Sequence, residues 1–197
     1  MQLDILWQGW DYPSLEHLRL AISDREIEAD SLFVGQHYRL DEDEDRSPFR
    51  FQYNIKCNSQ WQILQLDIKL LSPDQTSQVL ALKSDGAGSW FDSKGTLLPD
   101  LAGCQDVDIS ITPFTNTLPI RRLSLQPGES ADIRVLYIKL PELQYKPVQQ
   151  RYTCIDQDKH GGLYRFEVPG SDFVVELPVD ENKLVLDYPE LFRRVVF

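Results

Sequence analysis

Apolar and polar residues alternate along most of this chain. Phe49, Phe51, Tyr53, Ile55 and Cys57 share one parity, and Arg50, Gln52, Asn54 and Lys56 the other. Successive side chains of a strand point to opposite faces, so the pattern predicts a strand with one face buried and one wet. Past a polar turn at Asn58-Ser59, Leu64, Leu66, Ile68 and Leu70 alternate with Gln65, Asp67 and Lys69. Short polar turns join antiparallel neighbours, so the two runs predict a hairpin. Residues 3–10, 15–22 and 27–34 read as three more strands, separated by Asp11-Tyr12-Pro13-Ser14 and Ser23-Asp24-Arg25. Leu15, Leu18 and Ile22 also fit a helical period, but the flanking pattern favours a strand there. Gly86-Ala87-Gly88-Ser89 reads as a turn leading Trp90 into a short strand.

The last third of the chain predicts a meander over residues 149–155, 163–168, 173–179 and 184–186. Its breaks, Lys159-His160-Gly161-Gly162, Pro169-Gly170-Ser171-Asp172 and Asp180-Glu181-Asn182, carry residues that favour turn geometry. Residues 131–140 are apolar on both parities and predict a central strand. At the end, Asp187 can cap a helix, Glu190 can complete a capping box, and Arg193 and Arg194 suit a helix C-terminus. A helix of one or two turns is expected there. No linker or repeat divides the sequence, so residues 1–197 are read as one domain. The fold class expected is mainly β: a single curved antiparallel sheet forming an open or incomplete β-barrel, with one or two short helices.

A chain of 197 residues buries roughly 70% of its unfolded surface and needs no disulfide or metal to hold a core. Its net charge of −11 repels phosphate backbones and anionic membranes, which argues against nucleic-acid binding. No segment has the length of a membrane span. Met1-Gln2-Leu3-Asp4-Ile5-Leu6-Trp7 has no basic start and no long apolar run, so export is not expected. Cys57, Cys104 and Cys154 are widely spaced and odd in number, which fits reduced thiols in the cytoplasm.

Metal and cofactor signatures fail. Asp41, Asp43 and Asp45 imitate the start of a calcium loop, but Arg46 and Gln52 stand where glycine and glutamate are needed. The run Asp41-Glu42-Asp43-Glu44-Asp45 reads instead as a solvated loop tip. His17, His37 and His160 are far apart and lack zinc-ligand spacing. There is no nucleophile elbow and no phosphate-cradling glycine loop. No cofactor or metal is expected.

Candidate chemistry concentrates in residues 103–122. Alternation puts Asp106, Asp108 and Ser110 on one strand face, with Val107, Ile109 and Ile111 on the other. Thr112-Pro113 stops the ladder, Thr115, Asn116 and Thr117 can satisfy local backbone groups, and Pro119 stiffens the exit. Arg121 and Arg122 follow within reach of the acids. In a structural reading, aspartate and arginine pin a loop to the sheet. In a binding reading, Asp106, Asp108, Asn116, Arg121 and Arg122 line a site for a polar head group such as a sugar. In a catalytic reading, Asp106 or Asp108 is a general acid or base. Acids at i and i+2 of a strand face lie about 6–7 Å apart, between the usual glycosidase separations. Four tryptophans, eight tyrosines and nine phenylalanines supply core, and could also line a barrel for an acyl chain or a sugar ring.

Asp106-Val107-Asp108 together with Thr112-Pro113-Phe114-Thr115-Asn116-Thr117-Leu118-Pro119-Ile120-Arg121-Arg122 resembles the bacterial Putative glycolipid-binding family. Gly88-Ser89-Trp90 and Leu186-Asp187-Tyr188-Pro189-Glu190-Leu191-Phe192 support the resemblance, which spans essentially the whole chain. It implies a curved antiparallel sheet like that of the lipoprotein-localisation carriers of the bacterial envelope, whose incomplete barrels shelter acyl chains on an apolar concave face. Unlike those carriers, the chain is expected to have no export signal and no lipid-attachment cysteine near its start. The expected function is non-catalytic binding of a lipid or glycolipid in the concave face, by a cytoplasmic protein that does not span a membrane. The alternatives are the Asp106 or Asp108 enzyme and an interaction module that pairs its sheet edge with a partner chain.

Overall fold

The computed structural model describes residues 1–36, 47–72 and 77–196. The acidic run at residues 41–45 and His37 lie outside them. The mainly β architecture holds, with strands dominating and one short α-helix among the described residues. Its strands hydrogen-bond into two sheets.

The first sheet is built from β1 (Gln2–Gly9), β2 (Ser14–Ile22), β3 (Glu26–Gly35), β4 (Phe49–Asn58), β5 (Ile63–Leu71), β6 (Gln78–Ser84) and β7 (Trp90–Phe91). Consecutive strands pair antiparallel, and β13 (Asp187–Tyr188) and β14 (Phe192–Val195) extend the sheet beyond β1. The second is a curled half-barrel of five strands, ordered β12 (Val174–Asp180), β11 (Gly161–Glu167), β10 (Gln144–Asp158), β9 (Ser130–Lys139) and β8 (Asp106–Ile109). Among the described residues no helix is long and apolar enough to cross a membrane.

Alternation fixes the inner face of the first sheet. Leu18 and Leu20 on β2, Ile27, Ala29 and Phe33 on β3, and Phe51, Tyr53 and Ile55 on β4 are all buried. One expected position differs. Leu64 is 40% exposed, and Ile63 is buried instead. The register slips by one between Lys56 and Cys57, and such a bulge leaves one residue unpaired and turned off the alternation.

The sequence pattern ends the ladder at Thr112-Pro113 and assigns no helix to the residues that follow. The structure instead has a 3-10 turn, Phe114–Asn116, running into α1 (Thr117–Leu123). Topology explains the helix. β8 and β9 are parallel, and parallel neighbours need a crossover of a dozen or more residues. Pro119 sits in the first helical turn, where its missing N–H has no partner to lose. Ser124, at φ 49°, ends the helix in the left-handed region. Phe114, Leu118 and Ile120 of the crossover are buried in the core with the first sheet's apolar face.

The expected C-terminal helix is also corrected. Residues 187–195 form the β13–β14 hairpin, turned through Glu190 at φ 65°. β14 pairs with β1 from Leu6↔Val195 to Gly9↔Phe192. That pairing satisfies a sheet edge and buries Phe192 fully, which outweighs a local capping signal worth about 1 kcal/mol.

Candidate functional site

A cavity of about 430 Å³ lies between the half-barrel sheet and the C-terminal hairpin. That volume is within the range of small-molecule sites. The alternation of β10 sends Lys146, Val148 and Gln150 into its lining. Lys146 is exposed and Gln150 is buried, so the strand runs from rim to floor over roughly 13 Å, at about 3.3 Å per residue. Asp108, Ser110, Thr112 and Asn116 bring polar groups, contributed by the end of β8 and the crossover turn. Phe166, Val168, Phe173, Leu191 and Phe192 make an apolar wall, to which Tyr137 and Tyr188 add aromatic faces.

Of the five residues singled out in the sequence, Asp108 and Asn116 line this cavity. Gln150 Nε2 donates to Asp108 Oδ2 at 2.6 Å. Burial pushes the Asp108 carboxyl up to about 6, and hydrogen bonds from Gln150 and Thr115 hold it from going further. Tyr152 Oη donates to Asn116 Oδ1 at 2.8 Å. Asn116 Nδ2 donates to the Pro113 carbonyl at 3.4 Å, closing the 3-10 turn on itself.

The other three lie outside the cavity lining. Asp106 is fully buried and takes a two-pronged ion pair from Arg122 of α1: Nη2 to Oδ2 at 2.6 Å, and Nε to Oδ1 at 3.1 Å. Burial raises the Asp106 carboxyl and the Arg122 guanidinium opposes the rise. The pair ties α1, within the crossover, back to β8 at its start. Arg121 points elsewhere, with its guanidinium carbon 4.8 Å from the centroid of the Trp61 ring. Partial burial lowers its pKa and the charge of Asp180 counters this.

The sequence reading missed a second polar cluster one residue away from the cavity. Glu16 on β2 has no solvent exposure. Its Oε1 accepts from Tyr53 Oη at 2.7 Å, Ser31 Oγ at 2.8 Å and Thr112 Oγ1 at 2.8 Å, while Oε2 has no partner. Burial is the largest influence and pushes the carboxyl up to about 7, against those hydrogen bonds. Thr112 also accepts the Phe114 N–H at 3.1 Å and lines the cavity, so it joins the two sheets at the crossover turn. The signal was available: Glu16 shares the parity of Leu18 and Leu20, and Ser31 that of Ala29 and Phe33. A charged residue in an apolar register marks a buried polar group with partners. Gln150 carried a fainter form of the same mark, sharing the parity of Tyr152 and Cys154, but its partner and that of Tyr152 come from the β8 strand end and the crossover, which nothing local names.

Comparison with known proteins agrees with this architecture. A DUF1089 family protein from Pseudomonas aeruginosa is 35% identical, with 94% of this chain and 95% of that one covered and a TM-score of 0.77. A beta-barrel-like protein of domain of unknown function DUF1849, from Brucella abortus, shares the fold at 10% identity and a TM-score of 0.57, over 98% of this chain and 95% of that one. No curated protein matches. The model of the family described as Putative glycolipid-binding matches residues 4–194, and the chain belongs to that family.

Proposed function

We propose that the protein is a non-catalytic binder of a lipid or glycolipid, and that the half-barrel cavity is its site. The observation that carries this reading is a single cavity with hydrogen-bonding groups at its floor and an apolar, aromatic wall. Asp108 and Asn116 meet the polar end of the ligand together with Gln150. Phe166, Phe173 and Phe192 shelter its apolar part. Asp106 and Arg122 hold the crossover that presents Asn116. Arg121, stacked on Trp61, steadies the far side of α1. The family's description supports the ligand class. The concave surface used is that of the second sheet, because the inner face of the first is covered by core that includes Phe114 and Leu118. Three unpaired, buried cysteines are in keeping with a cytoplasmic setting.

Native mass spectrometry of protein purified without detergent tests the reading. A co-purified lipid is expected, and Val148→Trp, which fills the cavity, should abolish it. Absence of any bound lipid, together with no binding from a panel of lipids and alkyl glycosides, refutes it. One observation favours a second reading. Asp108 is a cavity-lining carboxyl held at about 6, which is the environment of a general acid or base. Turnover of a bound glycoside that Asp108→Asn abolishes, with binding retained, would select the enzyme.

A further inference from the structure

We propose that the polar end of the ligand carries a positively charged nitrogen, an amine or ammonium group that pairs with the Asp108 carboxylate at the cavity floor. This inference rests on the cavity being the ligand site and adds the charge of the ligand's head.

Asp108 lines the cavity. Its partners are neutral, the Gln150 amide and the Thr115 hydroxyl. Among the described residues no lysine, arginine or histidine lies within ion-pairing distance of it. The contrast with Asp106, two positions away, is direct: that carboxylate is matched by Arg122 at 2.6 Å. An enclosed carboxylate without a countercharge is costly, and the cost is removed by a cation rather than by a neutral donor. A hydroxylated head would return hydrogen bonds and leave the charge uncompensated. A phosphate, sulfate or carboxylate head would be repelled.

The walls point the same way. Phe166 and Phe173 meet edge to face, with centroids 5.7 Å apart, and both line the cavity with Tyr137, Tyr188 and Phe192. Aromatic faces around a carboxylate are the surroundings in which ammonium groups are held. Among the described lining residues the single cation is Lys146, at the rim. The overall charge of −11 favours the approach of cations and disfavours anions.

The test uses amphiphiles of one chain length below their micelle concentrations: dodecylamine, dodecyl glucoside and dodecyl phosphate, titrated calorimetrically into the intact protein at about pH 7.5. The amine is expected to bind most tightly and the phosphate least. Asp108→Asn should weaken the amine about ten- to a hundredfold more than the glucoside, the range of a charge-assisted hydrogen bond. Acidification provides a test that needs no variant. Around Asp108 stand Tyr137 of β9, Tyr152 and Lys146 of β10, Tyr188 of β13, and the Asp106–Arg122 pair. Burial first, and then the charge of Asp108, push the hydroxyls of Tyr137 and Tyr152 up, so they stay neutral. Asp108 is therefore the cavity-lining group expected to change charge near pH 6, and amine affinity should fall as pH drops from 7.5 to 5 while glucoside affinity changes little. Glucoside binding as tight as amine binding, blocked by Val148→Trp, would overturn the charge assignment and leave the lipid-binding reading standing. Binding of none of the three would overturn both.

Discussion

Replacing Glu16 by glutamine removes a titration that folding has displaced. The side chain is wholly buried, and burial raises its carboxyl from 4.5 to about 7 despite three donated hydrogen bonds. All three reach Oε1 and none reaches Oε2. Glutamine keeps a carbonyl at the Oε1 position and an uncharged group at the other, so it imitates the protonated acid. The folded chain holds this proton more tightly than the unfolded chain does. Glu16 therefore contributes its full stability below pH 4.5 and loses it as the pH rises through about 7. The interval from 4.5 to about 7 corresponds to about 3 kcal/mol, at about 1.4 kcal/mol per pH unit. The stability of Glu16→Gln relative to the parent should thus climb by about 3 kcal/mol between about pH 4.5 and pH 8. Urea unfolding followed by circular dichroism at several pH values measures this, with equal m-values confirming comparable end states. Asp108 titrates in both proteins and drops out of the difference. A gap that stays constant across the range, or one that falls as the pH rises, would refute the reasoning. The first result would mean that the three hydroxyls stabilise the carboxylate by as much as burial costs it, and the second by more.

Two further outcomes are expected. Arg122→Met strands the buried Asp106 carboxylate and should cost about 3–5 kcal/mol in urea unfolding near neutral pH; the loss should shrink on acidification, as Asp106 takes up a proton, and should largely disappear in the Asp106→Asn/Arg122→Met double variant. Phe114→Ala empties a fully buried site stacked on Tyr53 with ring centroids 6.3 Å apart, which should cost about 3–5 kcal/mol and lower the melting temperature by roughly 6–20 °C for a chain of this size; a drop of only a degree or two would show that the crossover does not plug the core.

The strands were legible because each carries its own evidence. Phe51, Tyr53 and Ile55 alternate with Gln52, Asn54 and Lys56, and the buried parity is the one the sequence marks. The elements that were misread are those whose conformation is settled by a distant partner. Residues 187–194 hold a helix-capping pattern, but β14 finds the free edge of β1, and ten or so residues of local preference cannot match a paired strand with a buried Phe192. Residues 117–123 hold a proline and β-branched residues, yet the parallel pairing of β8 with β9 demands a crossover, and a short helix is the compact way to make one. β6 (Gln78–Ser84) was not foreseen at all. Apart from Leu82 its residues are exposed or half-buried, so it lacks a clean apolar parity.

The site was half legible for a related reason. Position along the chain gave Asp106 and Asp108 the same face of the same strand, and nothing local distinguishes them. What separates them is the element that each meets. Asp106 meets α1, where Arg122 neutralises it at 2.6 Å; Asp108 meets the side chain of the neutral Gln150 from β10, at the floor of a cavity. A carboxylate matched inside the fold has its charge spent on holding the fold. A carboxylate left unmatched in an enclosed space costs the folded chain free energy that a ligand of opposite charge can return. If that reasoning holds, Gln150→Lys should supply the missing charge from within: it should lower the Asp108 carboxyl below its present position near 6, stabilise the folded chain near neutral pH, and abolish binding of the amine. Increased stability without loss of amine binding would separate the floor of the cavity from the ligand, and with it the function from Asp108.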